Sequence, residues 1–287
     1  TDHLRATGLD VALDWHEAPL ASDASLLRAH TAAHVAELRS ALEPLQASGE
    51  LRALDPDTSA GPYTWSAALR AAGAAVAATD AVLEGRASNA FCAVRPPGHH
   101  ATRDEVMGFC FLNNVAVAAR HALDVRGLER VAIIDFDVHH GNGTEDIVAG
   151  DDRILMCSFF QHPLYPYCGA SPKGANMVNV PVAPYTRGPQ VRDLAEQQWM
   201  PRLQAFKPQM IFISAGFDAH REDDLAQMGL VEADYAWITR RLMRVADEYA
   251  QGRIVSCLEG GYNLGALARS VAAHLRALSG TDGNAEA

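Results

Sequence analysis

The strongest constraint on this 287-residue chain is a recurring alternation: a short apolar run, then a longer stretch with helical periodicity. The runs are NAFCAVR (89–95), RVAIIDFD (130–137), RILMCSF (153–159), MVNVPV (177–182), QMIFISAG (209–216) and RIVSCLEGG (253–261). They are apolar at consecutive positions, which suits strands buried on both faces rather than an open antiparallel sheet. The helical stretches include 64–86, 112–125, 188–206, 231–251 and 264–280. This alternation predicts an α/β chain with a single, mostly parallel sheet flanked by helices on both faces. Apolar residues make up 48% of the chain, enough for a sizeable core. No repeat or long linker interrupts the pattern, so one domain is expected over 1–287, with the tail TDGNAEA (281–287) frayed.

The formal net charge is −11. An acidic surface repels phosphate backbones, so no direct nucleic-acid partner is expected. The same charge would draw basic substrates weakly, or serve solubility alone. No apolar run reads as long enough to cross a bilayer, and the opening TDHLRATGLD has no basic-then-apolar signal peptide, so no membrane partner is expected. The five cysteines are an odd number with no CxxC pair, and Cys92, Cys157 and Cys257 lie in strand-like runs. That usage points to a reducing, cytoplasmic setting and away from a disulfide scaffold or a Cys-rich zinc site. Oligomerisation stays open.

In open α/β sheets the working residues collect at the carboxyl ends of the strands. Those ends carry RPPGHH (95–100), DFDVHHGNG (135–143), SFFQHPLYP (158–166), SAGFDAH (214–220) and LEGGYN (258–263). Side chains two apart on a strand share a face. Asp137 and His139 can therefore converge on one point, and Asp218 can join them from another strand end. One imidazole and two carboxylates suit Zn²⁺ or Fe²⁺ and leave positions open for water and substrate. Taken singly, each Asp could instead cap the helix that follows it. Asp135 lies on the same face, one step deeper, where a buried carboxylate needs a partner such as a histidine N–H.

His99 and His100 follow a rigid Pro-Pro-Gly turn. A neutral imidazole takes a proton near pH 7, and its charged form returns one to a leaving amine. Asp135 is the expected partner of His99 and Asn142 that of His100. An anionic partner raises a histidine pKa more than a neutral amide does, so the two should not titrate alike. His140 points to the opposite face and is assigned to hydrogen bonding that supports the ligands from behind or lies in the core. Tyr262, beside Gly260 and Gly261, could aim its hydroxyl at an oxyanion, or be an ordinary tyrosine at a Gly-rich turn. EGGYNLG lacks the lysine and spacing of a phosphate-binding loop.

RPPGHHA followed by GFCFLNN, then IIDFDVHHGNGT, SAGFDAH and LEGGYN, resembles the histone deacetylase family of metal-dependent amidohydrolases. The likeness covers about residues 55–275 and is nearest class II enzymes and their bacterial relatives, including acetylpolyamine amidohydrolases. It implies the arginase–deacetylase fold and hydrolysis of an acyl-amine amide. It implies Asp137, His139 and Asp218 as zinc ligands, His99 and His100 as the catalytic pair with Asp135 and Asn142 as partners, and Tyr262 as the carbonyl-polarising residue. It implies a narrow substrate tunnel with Gly108 and Phe109 on one wall, Tyr165 opposite, and Leu225 and Gly260 contributing. Aromatic walls would sandwich a lysine-like stem, burying methylenes at about 0.8 kcal/mol each. The family likeness also implies a potassium ion beneath the zinc, through Asp135, Asp137, His139, Ser158 and Phe159.

Three departures stand out. The N-terminal segment is short, and TDHLRAT has His3 where the family's P-E-R-L-R-A has an arginine that shapes the product channel. The stretch FQHPLYPYCGASPKG is short, so a wider rim is expected. Leu225 stands where polyamine-selective relatives carry an acidic gatekeeper, although other acids at the rim could compensate. The expected substrate is an acyl-lysine peptide or protein, or another acetylated amine. The alternative on the same site is an acetylpolyamine or small-amide deacetylase. Two further readings are an arginase-like ureohydrolase, for which DFDVHHGNG and GFDAH lack the extra aspartates, and a non-catalytic acyl-lysine binder.

Overall fold

The computed structural model describes residues 1–282. The N-terminal part holds α1 (Asp2–Ala6), a 3-10 turn (Leu9–Ala12), α2 (Asp23–Leu26), α3 (Ala32–Leu42) and α4 (Leu45–Ser48). A two-stranded ribbon follows, β1 (Arg52–Ala53) and β2 (Ser59–Ala60), then α5 (Thr64–Leu83), β3 (Asn89–Cys92), α6 (Asn114–Asp124), β4 (Val131–Asp135) and α7 (Asn142–Val148). Next come β5 (Ile154–Gln161), β6 (Met177–Val182), α8 (Gly188–Leu194), a π turn (Ala195–Trp199), α9 (Met200–Phe206), β7 (Ile211–Ala215), α10 (Glu232–Tyr249), β8 (Ile254–Leu258) and α11 (Leu264–Leu278).

All six apolar runs become strands of one sheet, in the order β3-β8-β7-β4-β5-β6, with every pair parallel. From β4 the chain builds outward through β5 and β6, then returns to lay β7 and β8 on the other side of β4. The strand order therefore switches between β4 and β7, where an open α/β sheet forms its crevice. Alternation along each strand feeds two cores. Val131, Ile133, Ile154, Met156 and Phe212 pack on the side of α5 and α6. Ala132, Ile134, Leu155, Cys157 and Ile213 pack with residues of α9, α10 and α11. Pro181 sits in β6, an edge strand, where its missing N–H disrupts least.

Three expectations need correction. The stretch 188–206 is not one regular helix, because Pro201 lacks an N–H and its ring crowds the preceding turn; the chain widens into the π turn before α9. One helix, α5, does have the length and composition of a membrane span, contrary to the expectation. Here Ala68, Ala71, Ala72 and Ala75 are buried on one face, and α5 packs on α3, α6 and β3. At the tail, Thr281 and Asp282 close an ordered turn in which Arg240 donates to Asp282 at 2.7 Å. The rest of the expected frayed tail, 283–287, lies outside the described residues.

Gly73 permits a close crossing over α5. A Cβ there would lie 2.0 Å from the Pro19 carbonyl oxygen and 2.7 Å from the Ala21 nitrogen. Beside it the Ala21 N–H donates to the Leu69 carbonyl at 2.9 Å. Gly73→Ala should cost about 1–3 kcal/mol through overpacking and lower the thermal midpoint. Gly265→Ala, whose new methyl would meet its nearest atoms at 3.4 Å, should not.

His274 joins α11, α10 and β8 inside the core. The Thr239 hydroxyl donates to Tyr235 O at 2.6 Å, so His274 Nδ1–H is the donor to Thr239 Oγ1 at 2.6 Å. His274 Nε2 then accepts from Ser256 Oγ at 3.0 Å. Only the neutral imidazole satisfies this arrangement, and burial pushes its pKa from 6.5 down to about 3. The unfolded chain therefore binds this proton first. Stability should be full above about pH 6.5 and fall toward pH 3, by up to about 1.4 kcal/mol per pH unit from this residue. Denaturant melts between pH 7.5 and pH 5 would record the loss, and His274→Gln should make the decline shallower.

Candidate metal and catalytic centre

Beyond β4, which ends at Asp135, the chain bends through Asp137–His139, held by its own carboxylates. Asp135 Oδ1 accepts the Asp137 N–H at 3.1 Å, and Asp137 Oδ1 accepts the His139 N–H at 2.8 Å. These residues continue the Val131–Ile133 face, as the two-residue spacing predicts. Asp218 arrives from the end of β7, and its Oδ1 accepts the Val138 N–H at 3.0 Å, so it does not act as a helix cap. Ligand atoms of Asp137, His139 and Asp218 lie within 4.8 Å of one another, and all three side chains are buried. His139 Nδ1 is 3.1 Å from both Asp137 Oδ1 and Asp218 Oδ2.

Two glycines make room for this cluster. A Cβ at Gly216 would stand 2.1 Å from Asp137 Oδ2, and one at Gly260 would stand 2.1 Å from Asp218 Oδ2. The Gly260 N–H donates to Asp137 Oδ2 at 2.8 Å. Gly260 thus lies against the carboxylates, the deepest of the five positions expected along the tunnel. Burial, then the neighbouring Asp137, pushes Asp218 up to about 6. Burial opposes a charge on His139, but its bonds to Asp137 and Asp218 raise it to about 10. Burial also opposes the Asp137 charge, yet His99 and His139 hold that carboxyl well below its usual range. Two buried acids and one nitrogen around a single point fit a divalent cation, which would neutralise the carboxylates together.

The tandem histidines reach this cluster from the β3–α6 loop, on the α6 side of the sheet. Asn113 caps α6 by accepting the Ala116 N–H at 3.0 Å, and its amide donates to Ala101 O at 3.1 Å. His99 Nδ1 is 3.0 Å from Asp135 Oδ2, and His100 Nδ1 is 2.8 Å from Asn142 Oδ1. Both pairings are those read from the sequence. The Asn142 amide donates to Met107 Sδ at 3.1 Å, which turns its oxygen toward His100. With each Nδ1 engaged, each Nε2 is left for chemistry, and His99 Nε2 lies 3.8 Å from Asp137 Oδ2. Burial opposes charging His99, but Asp137 and Asp135 raise its pKa well above the ordinary histidine value. Burial, then repulsion from His99, drives His100 well below it. His140 is buried on the other face, with Nε2 2.8 Å from Glu145 Oε2.

Gly108 and Phe109 both have left-handed backbone, with φ of 56° and 67°. The β1–β2 ribbon pins them: Asp57 Oδ1 accepts the Gly108 N–H and Thr58 Oγ1 accepts the Phe109 N–H, each at 3.1 Å. A Cβ at Gly108 would sit 2.3 Å from His100 Cδ2, so glycine is required twice over. Phe109 meets Tyr262 edge-on at 6.1 Å between centroids, and Tyr165 stands edge-on to His100 at 5.2 Å and His139 at 6.3 Å. Burial, then Asp218 and Asp137, pushes the Tyr262 phenol up, so it keeps its proton. Ser158 pairs in register with Asp135 on the neighbouring strand, and its buried Oγ has no hydrogen-bond partner among the described residues. Phe159 points to the other core, stacked on Trp199 at 5.8 Å.

Two buried acids that hold backbone beside this centre were not read from the sequence. Glu259 follows β8; its Oε2 accepts the Gly98 and His99 N–H groups at 2.7 and 3.1 Å, and its Oε1 accepts from Ser214 Oγ at 3.1 Å. Asp223 Oδ2 accepts the Tyr262 and Asn263 N–H groups at 2.7 and 3.0 Å, and its Oδ1 accepts the Leu225 N–H at 3.2 Å. The available signal for Glu259 was an acid between an apolar strand and a Gly-Gly pair. Asp223 sits in the charged run HREDD, which offers no such mark.

A histone deacetylase domain model matches residues 1–278. The chain belongs to the histone deacetylase family. It is 40% identical over 267 residues to the histone deacetylase-like amidohydrolase of Pseudomonas aeruginosa, covering 91% of this chain and 69% of that protein. It is 44% identical over 228 residues to the uncharacterized protein slr0245 of Synechocystis, covering 78% of this chain and 73% of that one. The crystal structure of the HDA15 HD domain aligns with a TM-score of 0.89 at 33% identity, covering 97% of this chain and 79% of that chain. The parallel sheet with flanking helices is thus the arginase–deacetylase fold, and the family placement makes the chain a hydrolase.

Asp223→Ala should leave three part-buried backbone N–H groups, those of Leu225, Tyr262 and Asn263, without their acceptor, at a total cost of about 1–3 kcal/mol. Amide exchange at Tyr262 and Asn263 should quicken well before global unfolding, as hydrogen-exchange measurements would show.

Proposed function

We propose that this chain is a zinc-dependent amidohydrolase that removes acetyl or related acyl groups from lysine-like amines, with iron as the other candidate metal. The observation that carries this reading is the meeting of Asp137, His139 and Asp218 with two histidines whose Nδ1 atoms have unlike partners. A cation held by those three residues would act as a Lewis acid toward the scissile carbonyl and make water more acidic. His100, held by the neutral Asn142 amide, takes the proton of the attacking water at Nε2. The pair then returns a proton to the departing amine, with Asp135 orienting His99. The Tyr262 hydroxyl, kept protonated, donates to the oxyanion that develops on the carbonyl. Products are a free amine and a carboxylate.

The substrate stem would lie along Phe109, Gly108 and Tyr165, with Leu225, 45% exposed, at the rim. An apolar residue there favours acyl-lysine over a cationic polyamine; acetylpolyamines and small amides remain the alternative on the same site. The orphaned Ser158 hydroxyl beside Asp135 supports a structural potassium ion, shared with Asp137, His139 and Phe159. Five free cysteines, four of them buried, support a cytoplasmic, reducing setting for one catalytic domain.

The test is a kcat/KM panel over acyl-lysine peptides and acetylated polyamines, with zinc and iron loaded separately and metal counted per chain. One divalent metal per chain and amide hydrolysis are expected. Tyr262→Phe should be about 10²–10³-fold slower, the usual cost of an oxyanion donor. Tyr262→Phe at the wild-type rate, or two divalent metals per chain, would overturn the mechanism.

A further inference from the structure

Glu259 is a fully buried acid with no part in the steps above. It lies where β8, β7 and the tandem-histidine loop meet. Its carboxylate accepts three hydrogen bonds from three separate segments of chain: the Gly98 and His99 N–H groups from the loop after β3, and the Ser214 hydroxyl from β7. Its own N–H donates to Ala215 O at 3.0 Å, which fixes the backbone from which the side chain reaches. The next residue, Gly260, donates to Asp137 Oδ2 at 2.8 Å. One dipeptide therefore grips the histidine loop with its side chain and a metal-site carboxylate with its backbone.

The loop needs such a grip. No strand pairing holds Gly98 and His99, since β3 ends at Cys92. A Cβ at Gly98 would stand 2.6 Å from the Asn114 nitrogen, so α6 presses on the loop from the other side. The His99 carbonyl accepts the Thr144 N–H at 3.0 Å, which ties its far end to α7. Glu259 holds the N–H groups of the peptides on either side of Gly98, immediately before the first imidazole.

We infer that Glu259 is the positioning residue that sets where the His99–His100 backbone stands relative to the Asp137–His139–Asp218 cluster. The inference rests on the deacetylase reading for its catalytic consequence, but not for the anchoring itself. Glu259 bonds the loop backbone and Ser214 rather than the side chains of Asp137, His139 or Asp218, so it acts through His99. A shift of about 1 Å in a catalytic group costs on the order of 10²-fold in rate without comparable loss of binding. The carboxyl is pushed up to about 7 by burial, against the opposing pull of His99. A neutral amide of the same shape is therefore a fair substitute: Gln can accept the two backbone N–H groups and turn its amide toward Ser214.

The experiment compares wild type, Glu259→Ala and Glu259→Gln, each metal-loaded, on one acyl-lysine peptide that wild type hydrolyses. Amide exchange at Gly98 and His99 is followed in the same samples. Glu259→Ala should lower kcat about 10–100-fold with KM within about threefold and metal content unchanged. Glu259→Gln should restore most of that loss. Exchange at the two amides should be slow in wild type and in Glu259→Gln, and at least tenfold faster in Glu259→Ala. Wild-type kcat in Glu259→Ala, or equal losses in Gln and Ala, would overturn the inference while leaving the deacetylase reading intact. Wild type that hydrolyses no amide would defeat that reading instead, and the exchange rates alone would then judge the anchor. If Glu259→Ala does not fold, fast exchange of Gly98 and His99 in wild type suffices to refute it, and slow exchange with recovery in Glu259→Gln sustains it.

Discussion

Four acids, Asp135, Asp137, Asp218 and Glu259, are almost completely buried within a few ångströms of the strand ends, and compensating them organises the centre. An uncompensated buried carboxylate is too costly to persist. Each therefore takes N–H groups wherever the chain can bring them. Asp135 holds His99 and the Asp137 amide; Asp137 holds the His139 and Gly260 amides; Asp218 holds the Val138 amide; Glu259 holds Gly98 and His99. The backbone bends to serve the carboxylates, and in doing so it aims three ligand atoms at one point. What hydrogen bonds leave uncompensated between Asp137 and Asp218 shows as the raised Asp218 pKa, the demand that a cation would meet.

The glycines follow from the same crowding. Gly216 and Gly260 leave no side-chain volume beside the carboxylates, Gly141 leaves none beside Asp135, and Gly108 none beside His100. Phe109, Tyr262 and Leu225, the residues proposed to face substrate, are held at one remove. The β1–β2 ribbon fixes Phe109 through Asp57 and Thr58, while Asp223 fixes Tyr262 and Leu225 together. These residues are thus braced by short polar contacts from loops rather than by the sheet itself.

Much of this was legible in the chain. Six apolar runs became six parallel strands, with ends displaced by a few residues, because a strand buried on both faces has no polar position to obscure its pattern. Asp137, His139 and Asp218 were legible because two-residue spacing at a strand end has a fixed geometric meaning, and the partners of His99 and His100 because buried charge needs compensation. Glu259 and Asp223 were not, since the Gly98 and Tyr262 N–H groups they accept lie 161 and 39 residues away and no periodicity marks them. Helix α3 and the π turn before Pro201 were also missed, the first for its mixed pattern and the second because Pro reads equally as a helix start or a break.

The sequence by itself determined the layered α/β class, the chemistry of the donor set and the place of each donor along its strand end, because these depend on local spacing and residue type. Only the tertiary structure decided that β7 returns beside β4 and so brings Asp218 to Asp137, and that β8 slides Glu259 under the histidine loop. Those meetings depend on strand order, and strand order is settled by how the helices share the two faces of the sheet, a long-range packing outcome that no local pattern encodes.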